Sequence, residues 1–257
     1  MYDLTWEASN IIASWNATGA RLPKALTAAF ETFEVVRLAK VGHQPTFSLD
    51  GINAANVDDR LATFATELST SLPLSGKVGA VPVSVSTEAK RSAMNLAAQA
   101  VIAEAGAAVP HVIESLEPSF RRAVTALTDA VAVLPDELTA DTLVSSGGAV
   151  LDAYHRALSA AAEIEAVDMW LALLNKLPDH ANFSAKPVLR VLAPTNLSDY
   201  FALAQAPDQL RLRGAFVAAA RLGTEWKMQT PRESVALWQE LDSRPVESKG
   251  QPLLSVR

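Results

Sequence analysis

Apolar residues recur every third or fourth position along most of this chain, the spacing of helices that each bury one face. Leu26, Phe30, Phe33 and Val36 form such a stripe behind Pro23, which suits a first helical turn because its missing N–H is not needed there. Leu4 to Trp15 has compatible spacing. Val57, Leu61, Phe64, Leu68 and Leu72 step by 4, 3, 4 and 4, which predicts an amphipathic helix ending at Pro73.

A longer pattern follows. Val109, Ile113, Leu116, Phe120, Val124, Leu127, Val131 and Leu134 hold a near-heptad repeat through two prolines, Pro110 and Pro118. An interior proline removes a hydrogen bond and kinks or breaks a helix, but the unbroken register predicts one kinked rod rather than two unrelated helices. Val150, Tyr154, Ala157, Ala161, Ile164, Val167, Leu171 and Leu174 make a second stripe. Pro135 and the segment DELTADTLVSSGG separate the two, with room for a short helix of their own. Two long stripes joined this closely should pack antiparallel.

The expected fold is therefore all-α: a long kinked antiparallel helical hairpin flanked by shorter N- and C-terminal helices. Gly42, Pro45 and Gly51 break the pattern early, and VGAVPVSVS alternates weakly around Pro82. At most a minor β element is expected, near residues 44–50 or 80–86. Composition shifts suggest an N-terminal helical part over 1–80, the hairpin over 81–180, and short helices with an extended tail over 181–257. In that last part, Asn196 or Ser198 would cap a helix through Ala206, and Pro207 would open another running to about Met228. Thr230, Pro231 and Glu233 spell a capping box. The polar tail beyond it reads as disordered.

Composition sharpens this picture. Hydrophobic residues make up 49% of the 257 residues and charged ones 19%, the balance of a folded chain. Mean hydropathy is +0.15, high enough to suggest apolar helix faces buried against each other or against partner subunits. The N-terminus lacks a basic region followed by an apolar core, so no signal peptide is expected, and stretches such as Ser92 to Ala103 fall short of a membrane span. A cytoplasmic protein without membrane contact is the expectation, or a virion component if the source is a virus. The triplets at Asn16, Asn182 and Asn196 match a glycosylation signal but carry little weight without a secretion signal. Cysteine is absent, which removes disulfides and thiolate chemistry together. The net charge of −6 divides unevenly: residues 186–257 hold 10 Lys/Arg against 7 Asp/Glu, and the remainder 12 against 21. A C-terminal excess so diluted by acids argues against a nucleic-acid partner.

Candidate chemistry is sparse. His111-x-x-Glu114, with Glu117 beyond it, can be set beside Asp152-x-x-His155 on the return stripe, with Glu104, Glu163 and Glu165 as further ligands for a ferritin-like metal site. One pair is reversed relative to the usual Glu-x-x-His, and the other substitutes Asp. The expectation is surface histidines beside solvated acids, with no metal, no cofactor and no catalytic residues. His43 and His180 fall in loops and read as solvated. Ser145 to Gly148 is Gly-rich but lacks the Lys of a phosphate loop. Arg121 and Arg122 flank the apolar stripe; Arg211, Arg213 and Arg221 are the other basic grouping, with an anion contact as their functional alternative.

Of the five tryptophans, Trp170 lies in the hairpin while Trp6, Trp15, Trp226 and Trp238 lie outside it. Tryptophan is over-represented at binding hot spots, so these four are the candidate interaction residues, Trp238 first. Together these readings point to a non-enzymatic helical interaction or assembly protein, forming a homo-oligomer or part of a larger particle, a viral one included. The alternatives are a ferritin-like metal-binding bundle, acting as enzyme or carrier, and a nucleic-acid-binding regulator that uses its C-terminal helices.

Overall fold

The computed structural model describes residues 4–41, 45–48, 50–51, 53, 55–72, 84–182 and 184–244. The fold is all-α, 72% helical, with a single tiny sheet among the described residues. The helices are α1 (Leu4–Ala17), α2 (Lys24–Leu38), α3 (Val57–Ser71), α4 (Val85–Val131), α5 (Ala140–Ser145), α6 (Gly148–Leu173), α7 (Leu197–Gln205), α8 (Gly214–Leu222) and α9 (Pro231–Ser243).

The chain divides into two compact units. The first comprises Met1–Ile12 and Pro23–Ala105, the second Ala13–Leu22 and Gly106–Arg257. Both α1 and α4 continue through a division.

In the first unit, Leu26, Phe30 and Phe33 of α2 are buried, as its stripe predicts. Lys90 Nζ donates to the carbonyls of Arg37 (2.8 Å) and Ala39 (2.6 Å), placing a cation on the acceptor-rich end of α2. The α3 helix has its predicted stripe yet buries none of it. In the preceding loop Phe47 packs on Phe64 of this helix, with ring centres 5.2 Å apart. Arg60 Nη1 donates to the Asp50 carbonyl at 2.6 Å and holds that loop down.

The second unit contains the hairpin. His180 meets Gly106, and Leu116 and Ser119 share a groove wall with Glu163, Val167 and Trp170. Positions ascending along α4 thus face positions descending along α6 and its exit, which makes the pair antiparallel. Thr139 opens α5 in the connection: its side chain accepts from the Thr142 amide at 3.1 Å. Gly147, at φ 87°, enters α6 in a conformation that other residues rarely adopt. The buried side of the long helix is Val109, Val112, Leu116, Phe120, Ala123, Leu127, Ala130 and Val131; α6 contributes Ala153, Tyr154, Ala157, Ala161, Ile164, Trp170 and Leu171. Each fully buried leucine or isoleucine here contributes roughly 1.5–3 kcal/mol relative to exposure. Alanines at so many facing positions leave little side-chain bulk between the helix backbones.

Both prolines lie inside α4 and on its exposed side. Each removes the amide that would serve the carbonyl four residues earlier. For Pro118 that carbonyl belongs to exposed Glu114, within reach of water. For Pro110 it belongs to Gly106, and His180 Nε2 sits 3.1 Å from it. A protein donor therefore replaces the missing one. His180 is accordingly half-buried and engaged, not the solvated loop residue its surroundings in sequence suggest. His43 lies outside the described residues.

Helix α4 also corrects the reading of membrane spans. It contains an 18-residue window of mean hydropathy 1.4, so among the described residues it is the one helix long and apolar enough to cross a bilayer. The sequence reading stopped at the isolated acid Glu104, whereas length and composition tolerate one charge. Buried positions account for 39% of that window, and the core helix of a water-soluble fold meets the same two criteria.

The fold has a minor β element, as expected, and the described sheet lies in the C-terminal part. Leu192–Ala193 (β1) pairs antiparallel with Glu225–Trp226 (β2), Leu192 opposite Trp226. Of the two expected places, Pro45–Ser48 is irregular, while in the other Ser84 is a β-bridge residue and the helix begins at Val85; residues 44, 49 and 80–83 lie outside the described ones. Short pairing at 192 and 225 depends on contacts distant in sequence, which a local pattern does not reveal. The helix expected from Pro207 to Met228 is shorter. The Asp208 carboxylate accepts from the Gly214 amide at 2.8 Å, so α8 starts there, and Gly223 ends it at φ 65°. Asn196 caps α7 by accepting from the Asp199 amide at 2.9 Å. Thr230 and Glu233 form the capping box of α9, with amide-to-side-chain distances of 3.2 and 2.7 Å. The tail beyond 244 lies outside the described residues.

Candidate functional site

Three places in the chain combine unusual chemistry with a defined surface. The first is a carboxylate held by two guanidinium groups. Asp168 lies on the buried side of α6, one turn after Ile164, and is 4% exposed. A charge taken out of water must be paired. Arg190 binds it with two nitrogens, at 2.7 and 3.0 Å, and Arg213 Nη1 adds a third bond at 2.8 Å. Arg190 comes from the turn Pro187–Arg190, and Arg213 immediately precedes α8 and stacks over Phe216. One acid thus fastens two separate C-terminal segments to the hairpin. Gln229 extends the lock: buried, it donates through Nε2 to the Leu189 carbonyl at 2.7 Å and through its amide to Arg190 at 2.8 Å.

Sequence reasoning named Arg213 but missed Asp168 and Arg190. The signal was present, since an aspartate in register with Ile164 and Leu171 on an apolar stripe requires a cationic partner. The other arginines also have structural duties. Arg221 donates to the carbonyls of Pro135 (2.6 Å) and Asp136 (2.9 Å), and Arg121 pairs with Glu117 at 2.6 Å. Arg122 and Arg211 are exposed.

The second place is a groove of about 480 Å³ in the second unit. Its floor is Ala17, Leu116, Ala166, Val167, Trp170 and Leu173, and Ser14, Thr18, Ser119 and Glu163 supply its polar groups. Trp170 is 2% exposed and meets Trp15 edge-on, ring centres 5.3 Å apart. Its indole N–H is buried without an acceptor among the described residues, an arrangement that costs about 1–3 kcal/mol.

The third place is the uncovered apolar surface of the first unit. On α3, Leu61, Leu68 and the adjoining Leu72 are 48%, 44% and 55% exposed. Near the end of α2, Val35 and Leu38 are exposed as well, one turn apart.

The tryptophans divide among these settings. Trp15 is core, with 1% exposure, and has no surface to offer a partner. Trp6 is 60% exposed. Trp226 is half-buried against Phe216, and Trp238 packs on Tyr200 at 4.8 Å with Lys186 Nζ over its ring. Burial raises the Tyr200 phenol above its ordinary pKa, because the charged phenolate would lose water there. His111, Glu114, Asp152 and His155 are all exposed. Among the described residues, no group of three or more His, Asp or Glu is placed to hold a metal ion, so Glu104, Glu163 and Glu165 do not complete one.

No protein-family model, curated protein or solved structure matches the chain.

Proposed function

We propose that this chain is a non-enzymatic assembly protein that associates with copies of itself through the apolar helix faces of its first unit. The observation carrying this reading is α3: fifteen residues with a regular apolar stripe, none of it buried among the described residues. Exposed leucines scattered singly are ordinary, but a stripe in helical register is what a partner helix packs against. Low overall charge and a positive mean hydropathy support the same reading. Light scattering after size-exclusion chromatography, over a hundredfold dilution series, tests it. Wild-type chain should change mass with concentration, and the pair Leu61→Lys and Leu68→Lys should reduce it to one chain with unchanged helicity. A wild-type monomer throughout would rule the proposal out.

A further inference from the structure

The groove bounded by α1, α4 and α6 has the size and lining of a small-molecule site, and nothing in the assembly reading uses it. Its volume of about 480 Å³ falls within the roughly 300–1,000 Å³ of ligand pockets. Its floor is apolar, and Met169 at the edge is 64% exposed, a flexible side chain able to close over an apolar guest.

Charge then selects the guest. Among the described residues, no lysine or arginine lines the groove. Glu163 does, and no hydrogen bond or ion pair engages its carboxylate among the described residues. Of the neighbouring charges, Arg121 pairs with Glu117, and Asp168 with Arg190 and Arg213, while Arg122 is exposed to solvent. The hydroxyls of Thr18 and Ser119 donate back to the carbonyls of Trp15 and Leu116. The Trp170 N–H is buried without an acceptor among the described residues, out of contact with solvent.

From this we infer that the groove binds a small apolar amine, its hydrocarbon on Leu116, Val167 and Leu173 and its ammonium group on Glu163. A carboxylate of the same length would meet an uncompensated acid at the mouth and be rejected.

Titration calorimetry with decylamine and with decanoate, both below their micellar range, tests the inference on the full chain. One decylamine should bind per chain, with decanoate at least tenfold weaker. Glu163→Gln should erase that preference while leaving circular dichroism unchanged. Ala166→Trp should fill the groove and abolish amine binding; if that variant does not fold, the Glu163→Gln comparison decides. The inference is overturned if decylamine fails to saturate, if decanoate binds equally well, or if folded Ala166→Trp binds as wild type does. Because Leu61 and Leu68 lie outside the groove, failure here would leave the self-association test untouched.

Discussion

The two units solve the same problem, disposing of helical apolar stripes, to different degrees. In the second unit, α6 buries nine of its 26 residues, and polar ties reach far along the chain: Asp168 to Arg190 and Arg213, Arg221 to the Pro135 and Asp136 carbonyls, the Leu138 amide to Gln209. In the first, no α3 residue is fully buried, Lys90 ties distant segments by donating to the Arg37 and Ala39 carbonyls, and the ion pairs Glu34–Arg37 and Glu88–Arg91 join residues one turn apart. Exposed pairs of that kind contribute about 0–1 kcal/mol and fix no tertiary arrangement. A stripe in sequence therefore marks an apolar face, and not whether the chain's own fold covers it.

Removing the central acid of the second unit should have the largest effect. Asp168→Ala leaves Arg190 and Arg213 without their shared anion, and a broken buried pair costs about 3–5 kcal/mol. Because Arg213 keeps some solvent access, the lower end of that range is expected from urea denaturation. Matched leucine truncations then set the units side by side. Leu127→Ala, at a fully buried position, should cost about 2–5 kcal/mol. Leu68→Ala on α3 should stay within about 0.5 kcal/mol for the isolated chain. Equal losses at both positions would erase the contrast.

The smallest effect is the most local. His180→Ala should cost about 1 kcal/mol by leaving the Gly106 carbonyl with neither amide nor imidazole. In a Pro110→Ala background the restored amide should make most of that loss vanish, which a double-mutant cycle would measure.

Much of this was legible in the residues. Helical periodicity gave the hairpin, α3 and the return arm, and cap chemistry located the starts of α7 and α9 at Asn196 and Thr230. Other features depend on partners far away in sequence. The β1–β2 pairing joins residues more than thirty positions apart, His180 finds its role 74 residues upstream, and Trp15 proves to be core because Trp170 lies beside it. Asp168 sits between these cases: its position on an apolar stripe showed that it needed a counter-charge, while nothing local said which arginine would supply it.

Gly214 carries a consequence for anyone altering this chain. A methyl group added there would collide with the carbonyl oxygens of Ala206 and Pro207, which are backbone and cannot swing aside. The start of α8 therefore has no spare room, and an alanine at 214 would have to push α7 and α8 apart. Since Arg213 is the adjoining residue, the same displacement would pull its guanidinium from Asp168, so one extra carbon could unfasten a clasp formed by a different pair of side chains.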